Sequence, residues 1–232
     1  MSDSTWTLDE SLATASSPFG SLRVDPLKPS QPLELLSART GIKWSAIALK
    51  PQPPHSQQIE EAYVRDQDLI VRYRETPDDQ FSFQLNWRLV GSESMAAWGV
   101  ELWVSIQTSR LDTAPSIELR SDLPDAPWQV LRHHELVVGA DEQTLSAAAL
   151  VAAPHPSLAC VWMIEPGDQS QFQLHSQPTD STQSGKLFGA FLEKGVIRRG
   201  RMRFLMIESE LQDHQFAELY NDFITSPLPL TA

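Results

Sequence analysis

The chain has 232 residues and a formal net charge of −12, with 41% hydrophobic and 21% charged residues. This composition is typical of a folded globular protein, because disorder requires low hydrophobicity together with high net charge. The acidic balance argues against nucleic acid or an anionic membrane surface as the main partner, since both repel negative charge. For this length we expect one all-β domain spanning residues 1–232.

Targeting and redox signals are weak in this sequence. The N-terminus has no basic region followed by an apolar stretch, which predicts a cytoplasmic protein rather than a secreted one. The longest uncharged stretch, Gln143–Ile164, is interrupted by Pro154 and Pro156, so its apolar blocks are too short for a membrane helix. The only cysteine, Cys160, lies in an apolar run and is predicted to be a core residue.

Alternation of apolar and polar residues dominates the middle of the chain. Phe81–Leu89 and Ala96–Gln107 both have period two, and we predict that they pair as an antiparallel hairpin. Further strands follow at regular spacing, separated by turn-forming residues. They are predicted at Leu69–Glu75, Ser116–Arg120, Val130–Val137, Thr144–Ala152, Leu158–Ile164, Phe172–Leu174, Lys186–Leu192 and Met202–Ile207. This pattern favours a large antiparallel β-sandwich.

Three segments depart from the strand pattern. Lys50–His55 is rich in proline and is predicted to be an extended surface loop, and Ser176–Ser184 a polar exposed loop. Phe216, Leu219 and Phe223 have helical spacing, which predicts one C-terminal helix at about 210–225 that ends before Pro227.

Sequence motifs do not fix a reaction. The chain has no dinucleotide-binding or P-loop glycine motif, no C-x-x-C, no H-E-x-x-H and no G-x-S-x-G. We therefore predict no cofactor and no metal site, and whether the protein is an enzyme stays open. His155 with Glu165 and Asp168 could act as acid and base on a sugar, although nothing in the sequence brings them together.

The polar face of the predicted hairpin is a candidate binding surface. It would place Asn86 and Arg88 beside Glu101, Trp103 and Gln107. A tryptophan among amide, guanidinium and carboxylate groups suits a sugar, whose C–H face stacks on the ring while planar polar groups bind its hydroxyls. The alternative is a solvated sheet face with cross-strand charge pairs.

Arginine placement extends this candidate site. Arg201 and Arg203 alternate with Met202 and Phe204, so they are predicted to point away from the core. Arginine suits planar, two-pronged binding of carboxylate or phosphate, which makes an acidic sugar or a small anion a possible ligand. The competing interpretation, favoured by the surplus of acidic residues, is pairing with the protein's own carboxylates. The predicted ligand-binding residues are Asn86, Arg88, Glu101, Trp103, Gln107, Arg201 and Arg203.

Residues Lys186–Met206, with Gly189, Gly195 and Gly200 between apolar strand residues, resemble the closing strands of galactose-mutarotase-like supersandwich domains. The resemblance implies a supersandwich-like fold and an association with carbohydrate-active enzymes. Mutarotases of that family use a histidine acid and a glutamate base, but no motif here identifies either, so no catalytic residue is carried over.

Two functions remain in competition from the sequence. The first is carbohydrate binding or sugar modification at the polar sheet face. The second is a non-enzymatic protein-interaction or structural module that uses the same face and the proline-rich loops. Neither the ligand nor the oligomeric state follows from the residues.

Overall fold

Two antiparallel sheets pack face to face in the computed structural model, which describes residues 5–123, 128–132, 135–138, 149–169, 175–176, 182–208 and 210–227. The eight-stranded sheet has the order β1-β2-β3-β4-β5-β10-β16-β15, and the nine-stranded sheet β12-β11-β13-β14-β17-β9-β8-β7-β6. The prediction of an all-β sandwich with a C-terminal helix is confirmed.

The strands are short at the start of the chain and longest in the middle of the nine-stranded sheet. They are β1 (Thr7–Asp9), β2 (Leu12–Ser17), β3 (Gly20–Val24), β4 (Leu33–Ser37), β5 (Lys43–Gln52), β6 (Ile59–Arg65), β7 (Asp68–Tyr73), β8 (Ser82–Ser92), β9 (Ala97–Gln107), β10 (Ser116–Asp122), β11 (Trp128–Arg132), β12 (Glu135–Val138), β13 (Ala149–His155), β14 (Leu158–Ile164), β15 (His175–Ser176), β16 (Thr182–Phe188) and β17 (Ile197–Ile207). The helices are α1 (Pro166–Gln169), a single turn, and α2 (Asp213–Thr225).

The core lies between the sheets and is made by the apolar half of each alternating strand. Trp87 and Trp98 from the predicted hairpin are 2% and 3% exposed. Their neighbours across the sandwich include Trp44 and Leu35, both fully buried. Cys160 belongs to the same cluster, as predicted, and burial raises the pKa of its thiol.

Helix α2 covers part of the outer face of the nine-stranded sheet. Its apolar stripe, Phe216, Leu219 and Phe223, packs on outward-facing residues of β14 and β17 such as Val161 and Leu205. This explains why β14 is buried along its whole length: one face meets the core and the other meets the helix. The helix ends at Thr225, before Pro227, as predicted.

Several predicted boundaries are wrong. Residues 130–137 form two strands, because β11 and β12 pair antiparallel with Arg132 opposite Glu135. Lys50–Gln52 belong to β5, and Thr182–Ser184 begin β16, so neither segment is wholly a loop. The capping box at the start of α2 uses Gln212 and Gln215. The predicted strand 172–174 and the first five residues of the one at 144–152 lie outside the described residues.

Candidate functional site

The register of four neighbouring strands arranges the polar outer face of the nine-stranded sheet in rows. Strands β7, β8, β9 and β17 lie side by side, and residues opposite each other are about 4.8 Å apart in neighbouring strands. The first row is Asp68, Arg88, Glu101 and Arg203; the second is Ile70, Asn86, Trp103 and Arg201; the third is Arg72, Gln84, Ser105 and Arg199; the fourth is Ser82, Gln107 and Ile197. All seven predicted ligand-binding residues therefore share one face.

Glu101 is the centre of a buried ion cluster. Its carboxylate accepts hydrogen bonds from Arg201 Nε at 2.9 Å, Arg203 Nη2 at 2.8 Å and the indole Nε1 of Trp103 at 3.0 Å. Glu101, Arg201 and Arg203 are 3%, 2% and 7% exposed. Buried charges need such pairing, since each would otherwise lose its hydration without compensation.

The C-terminal end of α2 covers this ion cluster on the outer side of the sheet. Asp222 accepts from Arg203 Nη1 at 3.0 Å, and the Phe223 ring lies 4.4 Å from the Arg201 guanidinium carbon. Ser226 Oγ accepts a hydrogen bond from Arg201 Nη2. Arg201 and Arg203 thus pair with the protein's own carboxylates, the interpretation that the acidic composition favoured.

The remaining residues of the first two rows are only partly accessible. Arg88 forms a two-pronged pair with Asp68, at 2.8 and 2.9 Å. Trp103 is 8% exposed, and one of its faces is under the Arg201 guanidinium, 5.0 Å from the ring centroid. Asn86 Oδ1 is buried without a hydrogen-bond partner among the described residues.

The third and fourth rows are open, and they line a cavity of about 210 Å³ that we name the arginine groove. Its outward-facing residues are Arg72, Ser82, Gln84, Ser105, Gln107, Ile197 and Arg199. No acidic side chain is among the described residues that line it, so the groove is positively charged in a chain of net charge −12.

The arginines of the groove are available for a ligand. Arg199 is exposed and makes no ion pair among the described residues. Arg72 pairs with Glu60 at 3.0 Å, but both side chains are 48% exposed, so this pair contributes little stability. Gln107 Nε2 makes one long contact, 3.4 Å, with the carbonyl oxygen of Gly195. The period-two alternation of β8 and β9 puts Gln84 and Ser105 on this face. They were not among the predicted binding residues, because the sequence does not show that β17 pairs with β9.

Other sequence candidates do not converge. His155 bonds Ser157 in the turn before β14, whereas Glu165 follows the other end of that strand and accepts from Arg201 Nη1 at 3.2 Å. The side chain of Asp168 is outside the described part.

A buried hydrogen-bonded cluster around His55 and Asp79 joins two loops at one end of the sandwich. His55 accepts at Nδ1 from the backbone N–H of Gln57 and therefore donates from Nε2 to the carbonyl oxygen of Phe81, both at 2.8 Å. Burial lowers the pKa of His55. Burial would raise the pKa of the neighbouring Asp79, but hydrogen bonds from Thr76 and Ser56 outweigh it and lower that pKa to about 2.

Two solved structures of carbohydrate-processing enzymes have a fold similar to that of this chain. The chain aligns over 95% of its length with the α-N-acetylgalactosaminidase NagBb of Bifidobacterium bifidum in complex with GalNAc, at 10% identity and a TM-score of 0.51. It aligns over 90% with a mutant of the heparan sulfate lyase HepC from Pedobacter heparinus, at 6% identity and a TM-score of 0.53.

These similarities concern the fold alone, since the identities are so low. The chain spans 38% and 37% of the two enzyme chains, so it matches only part of each. No protein-family model and no curated protein matches the sequence. The narrower resemblance to galactose-mutarotase-like supersandwich domains stays a prediction. Among the described residues, no helix is long and apolar enough to cross a membrane.

Proposed function

We propose that the protein binds a carbohydrate that carries an anionic group, and that the arginine groove is the binding site. The observation that supports this most directly is the third row, in which Arg72 and Arg199 stand at the two ends of Gln84 and Ser105. Three strand spacings of about 4.8 Å separate the arginines at the backbone, roughly the length of a short oligosaccharide.

The groove has the groups that sugar recognition uses. Amide and hydroxyl side chains bind ring hydroxyls in both directions, and guanidinium groups bind a carboxylate or sulfate in a two-pronged manner. Half-exposed Ile197 provides an apolar surface for C–H groups. The carbohydrate-processing enzymes with a similar fold support the same ligand class.

The residues that line the groove favour a binding function over a catalytic one. Glycoside chemistry generally needs a carboxyl or another acid and base within reach of the bond that reacts. No carboxylate or histidine is among the described groove residues. Glu60, which is not among the lining residues, pairs with Arg72 at 3.0 Å, and Glu101 in the first row is already bound to two arginines and an indole.

The predicted binding residues divide into three groups in this proposal. Gln107 contacts the ligand directly, Asn86 borders the groove in the adjacent second row, and Arg88 lies one row further away. Glu101, Trp103, Arg201 and Arg203 hold the neighbouring strands and the end of α2 in place, so that the groove is rigid before a ligand arrives. Rigid sites lose less conformational entropy on binding.

Isothermal titration calorimetry with an oligogalacturonate, a sulfated disaccharide and their neutral counterparts tests the proposal. We expect saturable binding of an acidic sugar and at least a tenfold weaker affinity for Arg199→Gln, because a hydrogen bond to a charged group is worth about 1.5–3 kcal/mol. Arg23→Gln, exposed on β3 of the opposite sheet, changes net charge equally and should bind as the wild type does. Absence of binding to every sugar, or equal losses in both variants, contradicts the proposal.

A protein partner is the second candidate, and one observation favours it. Phe191, Val196 and Ile197 are 50%, 41% and 50% exposed within one short segment beside the groove. Exposed apolar residues next to arginine are typical of protein interfaces. If Phe191→Ser abolishes capture of a specific partner while no sugar binds, this function replaces the first.

A further inference from the structure

We infer that the outer face of the eight-stranded sheet carries a second, independent site, which binds a phosphate or sulfate ester group. The site, which we name the lysine groove, has a volume of about 420 Å³. Its polar residues are Ser30, Lys50, Glu118, Arg120, Ser184 and Lys186. It lies on the opposite side of the sandwich from the arginine groove and shares no residue with it.

The register of β5, β10 and β16 builds this groove. Lys50 and Lys186 both lie directly opposite Glu118, one on each neighbouring strand. Arg120 lies two residues further along β10, and so on the same face, between Ala48 and Ser184. Ala48 and Ser184 have short side chains, and Arg120 is exposed.

The charges in the groove are unbalanced. Three cations surround one carboxylate, which leaves a local charge of +2 on a chain whose total is −12. Glu118 contacts Lys50 at 3.9 Å, and the two side chains are 51% and 69% exposed, so the pair is loose. Neither Arg120 nor Lys186 makes an ion pair or a hydrogen bond through its side chain within the described part of the molecule.

This excess charge matches a tetrahedral dianion better than a carboxylate. A phosphate monoester carries about −1.5 to −2 charges at pH 7 and offers three acceptor oxygens. Arginine supplies two parallel N–H groups to such an oxyanion, and lysines act as point charges beside it. The Lys186 side chain extends beside Gly189, and Lys50, Arg120 and Lys186 all line the same groove, so an anion within it would be near three positive charges.

Titration followed by ¹H–¹⁵N NMR at constant ionic strength tests this site with inorganic phosphate, inorganic sulfate and acetate. We expect saturable shifts of β10 and β16 amides with phosphate or sulfate, and much smaller ones with acetate. A response to phosphate alone indicates a phosphate ester as the ligand, and an equal response to sulfate extends the class to sulfate esters.

Variants separate this site from nonspecific attraction and from the arginine groove. Arg120→Gln should weaken phosphate binding at least fivefold, whereas Arg199→Gln, with the same charge change, should leave it unaltered. Linear, non-saturating shifts, or equal weakening by both variants, overturn the inference. Arg120→Gln tests the lysine groove and Arg199→Gln tests the arginine groove. A negative result for one site therefore does not contradict the proposal for the other.

Discussion

Replacing Glu101 by glutamine should destabilise the protein far more than replacing any exposed carboxylate. The carboxylate accepts five hydrogen bonds, at 2.8–3.1 Å, from two arginines and Trp103. Glutamine keeps the volume but loses the charge and places an N–H₂ group among donors. Removing one member of a buried ion cluster costs about 3–5 kcal/mol, because the partners stay buried without compensation. Glu165 and Asp222 still pair with the arginines, so we expect about 3 kcal/mol.

Urea unfolding at pH 7, followed by both tryptophan fluorescence and circular dichroism, measures this loss. The matched control is Glu60→Gln, which removes an arginine pair that is 48% exposed on both sides and should change stability by less than about 1 kcal/mol. A double-mutant cycle of Glu101→Gln with Arg203→Met should give a coupling energy above about 1 kcal/mol. Equal stability losses for Glu101→Gln and Glu60→Gln would refute the reasoning.

Three further stability predictions come from the same structure. The pKa of Asp79 is lowered from 3.8 to about 2, so the ionised carboxylate contributes about 2 kcal/mol to the free energy of unfolding. This contribution should be complete above pH 4 and be lost as the pH falls towards 2. Asp79→Asn should remove that pH dependence in acid titrations. Gly99→Ala should lower the melting temperature strongly, since the added Cβ would lie 1.9 Å from the carbonyl oxygen of Phe204; an unchanged melting temperature contradicts the close strand approach. Phe223→Ala should cost about 3–5 kcal/mol in urea unfolding, whereas Phe223→Leu, which keeps apolar volume but loses the arginine–ring contacts, should cost about half as much; no measurable cost for Phe223→Leu would exclude a contribution from those contacts.

The sequence was sufficient for the fold class because period two is strong where one sheet face meets the core. The hairpin of β8 and β9 follows directly from the alternation between Phe83 and Ile106. The first six strands were not predicted; β1 to β4 are short and carry serines and threonines that also suit turns. The single strand predicted over 130–137 was wrong because β11 and β12 are separate strands that pair antiparallel, and this segment has no glycine or proline to mark a break.

The candidate site depended on information that is not local in the sequence. Alternation placed Arg201 outward, and the structure agrees, but α2, which begins at Asp213, covers that part of the face. The partner of Arg201, Glu101, is 100 residues away in the chain. Whether an outward arginine faces solvent or a buried carboxylate therefore depends on which strands are neighbours, which composition and periodicity do not specify.

The most direct test of carbohydrate binding is NMR observation of the groove side chains during titration with an oligogalacturonate. We predict saturable shifts of the NMR signals of the Arg72 and Arg199 Nε–H groups and of the Gln84 and Gln107 side-chain amides. The signals of the Arg201 and Arg203 Nε–H groups, which are buried against Glu101, should show no direct shift. Shifts confined to other surfaces, or none up to millimolar sugar, would contradict it.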